Sequence, residues 1–204
     1  PTLLIGDRIF VKKYSYGYSK HSFPFSPSFF SNRLLNKVPS YGDLVVFKTP
    51  VDNRTDYIKR LIGLPGDSVQ FKNGKLFLND TQILRTKLNQ KYKIRCGSLS
   101  PEVNAFKETL PNGKEYIAVY RKMGSMQNTD KYIVPTGHFF FLGDNRDCSK
   151  DSRYLSSVGY VSNENLVGNA AIIFFSNDTI SGSIFKIWNW DQSLRIKRFL
   201  NLLK

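Results

Sequence analysis

The apolar residues of this chain come in short runs, and that limits its fold more than any other feature. Arg8-Ile9-Phe10-Val11-Lys12, Leu44-Val45-Val46-Phe47-Lys48, Ser68-Val69-Gln70-Phe71 and Lys75-Leu76-Phe77-Leu78 alternate or bunch briefly and then stop at turn-forming residues. The stretches from Tyr57 to Ile62, Tyr116 to Tyr120, His138 to Leu142 and Ala170 to Phe175 repeat the pattern. Runs of this length, rich in β-branched and aromatic residues, read as strands. Asn73-Gly74, between two of them, is a two-residue hairpin signal. The body is therefore predicted to be mostly β. No run approaches the ~18 apolar residues needed to span a bilayer. There is no signal peptide and no initiator methionine.

Between the strands the composition shifts. Residues 17–40 are rich in Ser, Pro, Phe and Tyr and read as a long irregular loop. Residues 85–130 are more polar and basic, with a turn at Pro111-Asn112-Gly113, and read as an insertion carrying its own strands. The expected organisation is a discontinuous core over 1–67 and 132–184, an inserted β-rich subdomain over 68–131, and a basic tail over 185–204. In that tail Ile196, Phe199, Leu200 and Leu203 follow helical spacing among Arg195, Lys197, Arg198 and Lys204, with Trp188 and Trp190 ahead of them. A short amphipathic helix is predicted, resting on anionic phospholipid or packed on the β body.

The 204 residues carry a net charge of +14, which favours anionic partners: a phospholipid surface or nucleic acid. Nothing in the chain marks a specific nucleic-acid site. The two cysteines, Cys96 and Cys148, form no CxxC pair, and with two histidines a Cys/His zinc site is not expected. Their pairing cannot be deduced from the sequence, and both are read as free thiols. No metal or cofactor is called for.

Two segments carry chemistry. In Tyr57-Ile58-Lys59-Arg60-Leu61-Ile62-Gly63-Leu64-Pro65-Gly66-Asp67, strand alternation sets Tyr57, Lys59 and Leu61 on one face and Ile58, Arg60 and Ile62 on the other. A lysine between an aromatic ring and a leucine is placed for desolvation, which disfavours the ammonium and lets a neutral amine act as a base. The plainer reading is an edge-strand lysine with its head in water. The second segment, Gly143-Asp144-Asn145-Arg146-Asp147-Cys148-Ser149-Lys150-Asp151-Ser152-Arg153, concentrates charge and hydroxyls in one turn. Much of it reads as a structural hydrogen-bonded loop.

Together these segments resemble the bacterial type I signal peptidases, serine proteases that use a lysine as general base. The lysine segment is similar almost letter for letter. Tyr41-Gly42-Asp43-Leu44-Val45-Val46-Phe47-Lys48 resembles the preceding box, with Tyr41 where the family has arginine. Pro1-Thr2-Leu3 followed by Gly6-Asp7 resembles the end of the serine box, and Asn165-Leu166-Val167-Gly168 follows the last box as in bacterial members. The resemblance implies a signal-peptidase-like β-barrel or sheet core. It implies Lys59 as general base and Ser149 as the serine that orients its amine. Leu3, Val46, Ile58 and Tyr57 are expected against the substrate, with Phe47, Tyr57 and Phe141 as the apolar wall around the lysine. Asp151 and Arg153 match an ion pair beside the site, and Asp144, Arg146 and Asp147 belong to the same charged turn.

The implied partners are secreted preproteins, cut at the signal peptide on the outer face of a bacterial cytoplasmic membrane. The family's nucleophile lies in a Ser-Met-Xaa tripeptide directly before Pro-Thr-Leu, so these residues are expected to hold the base and groove but no attacking hydroxyl. A transmembrane helix is expected upstream. Cys148 stands where many relatives have asparagine, and is not read as a substitute nucleophile. Lys150 stands where a small residue is common, and could narrow or charge the groove. His138 reads as an ordinary strand residue. The rival readings are a self-cleaving repressor of similar architecture and a non-catalytic module that captures extended peptides.

Overall fold

The computed structural model describes residues 2–22, 33–97, 99–121, 126–178 and 194–203. The strands are β1 (Asp7–Lys12), β2 (Leu44–Lys48), β3 (Asp56–Gly63), β4 (Ser68–Lys72), β5 (Lys75–Leu78), β6 (Thr81–Gln82) and β7 (Leu84–Lys93). They continue as β8 (Glu102–Thr109), β9 (Glu115–Tyr120), β10 (Tyr132–Ile133), β11 (His138–Leu142), β12 (Val161–Ser162), β13 (Leu166–Ser176) and β14 (Asn201–Leu202). Each of the short apolar runs named from the sequence falls in a strand. Asn73 and Gly74 both take positive φ, 48° and 68°, as the tight turn between β4 and β5 requires.

Three sheets form. The largest has seven strands in the order β1-β13-β2-β3-β11-β12, with β14 added to β13, and its ladder does not close into a barrel. A four-stranded sheet runs β10-β4-β5-β6, and a three-stranded sheet runs β7-β8-β9. Two large cores flank β3 and β11. Leu61, Phe139 and Phe141 face one with Val45 and Phe47. Ile62, Phe140 and Leu142 face the other with Val69, Phe71 and Leu76. Alternate residues of the same two strands thus bury on both sides, which locks their register. The β7-β8-β9 sheet has its own small core of Ile94, Val103, Ala105 and Val119.

The tail corrects an expectation. Ile196–Arg198 form one turn of 3-10 helix, and the chain then turns at Leu200, φ 57°, into β14 instead of continuing as an amphipathic helix. An isolated helix this short is marginal on its own. The extended alternative gains the edge of β13, with Asn201 opposite Ile173, Leu202 opposite Ile172 and Leu203 N–H donating to Ala171. Trp188 and Trp190 lie outside the described residues, as does most of the stretch between β13 and the tail. Among the described residues no helix is long and apolar enough to cross a membrane.

Candidate active site

β3 carries Lys59 at the middle of the large sheet, paired with Val45 on β2. Alternation works as the pattern requires: the lysine shares a face with Tyr57 and Leu61. Its Nζ lies 5.4 Å from the Tyr57 ring centroid, and Phe47 stacks on Phe141 at 4.7 Å behind it. Burial pulls the Lys59 pKa below its ordinary value, and the charges of Asp151 and Asp144 offset only part of that fall. The amine is 2.8 Å from Ser149 Oγ, to which it donates. The hydroxyl is seated there because residue 143 is glycine. A Cβ at Gly143 would come within 2.1 Å of Ser149 Oγ.

The turn that presents Ser149 is held by three ion pairs. Arg60, on the opposite face of β3 from Lys59, grips both oxygens of Asp144 at 2.7 and 2.8 Å. Burial alone would raise the Asp144 pKa, but the Arg60 guanidinium outweighs it and holds the carboxyl at about 2. Asp144 also accepts from Thr2 Oγ1 at 2.7 Å, and Arg60 donates to the same hydroxyl at 2.8 Å. The start of the chain is thereby pinned to the turn. Asp151, fully buried, takes a two-pronged contact from Arg153 at 2.8 and 2.9 Å and the Gly143 N–H at 2.9 Å.

The third pair is Arg146 with Glu108, 2.7 Å apart and each 1% exposed. Tyr116 and Tyr120 donate their hydroxyls to Glu108 at 2.7 and 2.5 Å and accept from Arg146 at 2.8 and 2.6 Å. Glu108, Tyr116 and Tyr120 all come from the β7-β8-β9 sheet. Val119 on β9 adds backbone bonds, donating to Asp144 and accepting from Arg146. The sequence marked none of these three as part of the site. Glu108 lies 38 residues before its arginine, and its only signal was a carboxylate at an inward position of a predicted insertion.

The cysteines are the second correction. Cys96 and Cys148 are joined in a disulfide across 52 residues, not free. Cys96 sits at the end of the β7–β8 hairpin, which folds back over the turn, and no local spacing reports that approach. The bond occupies the sulfur of Cys148, so the thiol beside Ser149 is not a nucleophile in this state.

These elements enclose a cleft of about 540 Å³. Leu3, Ile58, Lys59 and Ser149 line it on one side, with Ile94 and Cys148 on the hairpin side. Asp144 lines it too. Val46 pairs with Ile58 and Tyr57 packs against Lys59, but neither is among the lining residues, and nor is Lys150. Phe47, Phe141, Arg146, Asp151 and Arg153 stand behind the lining. Tyr41, the departure from the arginine of the family box, donates its hydroxyl to Asp67 at 2.7 Å. His138 pairs with Ser162 on β12, away from the cleft.

A desolvated amine hydrogen-bonded to a serine, in a cleft on a β scaffold, is chemically able to take up and give back a proton. The family follows from comparison. The model of the signal peptidase family, peptidase S26, matches residues 1–175, and the chain belongs to that family of peptidases. It is 40% identical to signal peptidase I of Rickettsia bellii (strain OSU 85-389), over 98% of this chain and 74% of that protein. It is 41% identical to signal peptidase I of Rickettsia prowazekii (strain Madrid E), over 98% and 81%. A solved signal peptidase I from Enterococcus faecalis V583 is 27% identical, covering 65% of this chain and 97% of that one, at a TM-score of 0.37. Family membership displaces the self-cleaving repressor as a reading.

Proposed function

We propose that this chain is the catalytic part of a membrane-bound serine endopeptidase that removes N-terminal signal peptides from secreted preproteins, with Lys59 as general base. The observation that carries this reading is the 2.8 Å bond between the Lys59 amine and Ser149 Oγ, on a lysine whose pKa is lowered by burial. On the family's pattern the attacking hydroxyl belongs to a serine preceding Pro1-Thr2-Leu3. Thr2 is bonded to Asp144, and Leu3 lines the same cleft as Lys59, which suits a serine that enters the cleft just ahead of them.

The chemistry runs in two halves. Neutral Lys59 takes the serine proton as Oγ adds to the scissile carbonyl, and the tetrahedral oxyanion needs N–H or O–H donors. The C–N bond breaks, Lys59 returns the proton to the leaving amine, and the signal peptide stays as an acyl ester. A water then attacks that ester with Lys59 again as base. Ser149 orients the amine and is not consumed. Ile58 and Leu3 offer apolar contact to small side chains of an extended substrate, which β-strand pairing would hold.

The cleft is read as working on the outer face of a bacterial cytoplasmic membrane. A disulfide beside the cleft suits such an oxidising compartment. Exposed Phe10, Phe174, Leu200 and Leu202 gather on the β1-β13-β14 edge with Arg8, Lys12 and Lys197, which suits an anionic phospholipid surface. Co-sedimentation with vesicles containing phosphatidylglycerol should fall when Phe10 and Phe174 become serine, and unchanged binding would remove the lipid reading.

The test of the catalytic reading is Lys59→Ala in a version that carries the upstream serine. Cleavage of a preprotein should drop by roughly three orders of magnitude or more, with the circular dichroism spectrum unchanged. Retained turnover would sink the assignment. The 204-residue polypeptide alone should take no label from a serine acylator, and stoichiometric labelling would show that its nucleophile lies within it.

A further inference from the structure

The charges in the cleft are matched in pairs, except on one wall. Arg60 is neutralised by Asp144, and Arg195 lies 3.4 Å from Asp178. Lys59 is the base. On the opposite wall, at the end of the β7–β8 hairpin, Lys93 and Arg95 line the cleft and are exposed, with Ile94 between them turned into the small core. Neither forms an ion pair among the described residues. The nearest carboxylate on the neighbouring strand, Glu102, sits opposite Lys93 and is paired with Lys91 at 3.3 Å. Lys93 and Arg95 therefore leave two unmatched positive charges facing the space a substrate would occupy.

That wall does not drift. The Cys96–Cys148 bond ties the residue after Arg95 to the residue before Ser149. A Cys96–Leu99 backbone bridge closes the tip. A long hairpin of exposed polar residues would otherwise be free to swing away from the cleft. Two cations at a fixed distance from the reacting groups discriminate between substrates. A carboxylate in the passing chain gains attraction and releases no partner, while a lysine there meets like charge.

We propose that Lys93 and Arg95 are specificity-determining residues: they select polypeptides that carry an Asp or Glu in the segment lying along the hairpin wall, close to the bond that is cut. This rests on the peptidase reading above. It also reassigns a role considered for Lys150, which does not line the cleft.

The test is a set of peptides spanning a cleavage site, in which one position at a time is Asp, Asn or Lys, cut by the enzyme carrying its upstream serine. At one position or two adjacent ones, kcat/KM for Asp should exceed that for Lys by about tenfold at low ionic strength, the reach of one or two exposed charge contacts. The preference should shrink in 0.5 M salt, where screening is over roughly 4 Å. Replacing both cations, Lys93→Glu with Arg95→Glu, should invert the Asp-to-Lys ratio, with each rate taken relative to the same variant's rate on the all-neutral peptide. Equal rates for Asp and Lys at every position, or a preference that survives the reversal, would overturn the proposal. If no peptide is cut, the peptidase reading fails instead. Fluorescence-polarisation binding of the Asp and Lys peptides to this chain then still decides: a tighter Asp peptide, lost on charge reversal, supports the wall, and equal binding rejects it.

Discussion

Glu108→Ala is expected to be among the most damaging single changes outside the cleft. The carboxylate is 1% exposed and accepts from Arg146, Tyr116 and Tyr120. Its removal leaves a buried guanidinium without a counter-charge, which costs about 3–5 kcal/mol. It also leaves two phenol hydroxyls without their acceptor, at about 1 kcal/mol each. The sum, about 5 kcal/mol or more, is a large part of the roughly 5–15 kcal/mol that holds a typical domain together. Urea unfolding followed by circular dichroism should show the midpoint falling by about 2.5 M or more, taking a slope near 2 kcal/mol/M. The pairing itself is isolated by a double-mutant cycle. Glu108→Leu with Arg146→Met removes both charges, so it should cost less than the two single changes added, by about 3 kcal/mol of coupling. A Glu108→Ala loss under 1 kcal/mol, or additive singles, would refute the view that this pair joins the inserted sheet to the turn that presents Ser149.

Four further outcomes follow from the site. On the general-base proposal the active species is the neutral Lys59 amine, whose pKa burial lowers, so kcat/KM should rise with pH along a limb centred below 10.5; Ser149→Ala should lower kcat/KM by roughly 10- to 100-fold, the worth of a hydrogen bond to the ammonium that forms as the amine takes the proton, and an unchanged rate would deny Ser149 its orienting role. Asp144 titrates near 2 when folded against 3.8 for a free aspartate, so its share of stability, about 2 kcal/mol, is present above pH 3.8 and lost as pH falls through about 2; Asp144→Asn should flatten that part of the acid-unfolding curve. Reducing the Cys96–Cys148 bond opens a loop of 52 residues, worth about 4 kcal/mol of chain entropy, so thermal unfolding with and without reductant should differ by many degrees, and coincident curves would contradict the tether.

How much of this could be read in advance depended on distance along the chain. Lys59 was legible because its environment is local. Tyr57 and Leu61 are its strand neighbours on one face, and two-residue periodicity is enough to place them together. Ser149 and the Asp151–Arg153 pair were legible only through resemblance, since nothing in a polar turn says which hydroxyl meets which amine. The tail was misread because helical spacing of apolar residues is a statement about one segment, whereas β14 exists through a vacant edge on β13, set by residues about thirty positions earlier. Cys96 and Glu108 were missed for the same reason. Their partners, Cys148 and Arg146, come within reach only after the insertion folds back.

That fold-back changes how the insertion should be regarded. Residues 85–130 read in the sequence as a polar, basic insertion, which by itself argues for a dispensable surface feature. Yet this sheet supplies the buried Glu108 and both tyrosines to Arg146, two backbone bonds through Val119, and a covalent link through Cys96. All of them act on residues 144–148, immediately ahead of Ser149. On the far side of Ser149, Asp151 is held by Arg153 and by the Gly143 N–H. The serine is thus clamped from both flanks, once by the central sheet and once by the insertion. A hydrogen bond to a buried amine is useful for catalysis only if its geometry is held within a fraction of an ångström. A turn of polar residues cannot supply that rigidity alone, and here the insertion does, while the end of its β7–β8 hairpin presents Lys93 and Arg95 to whatever lies in the cleft.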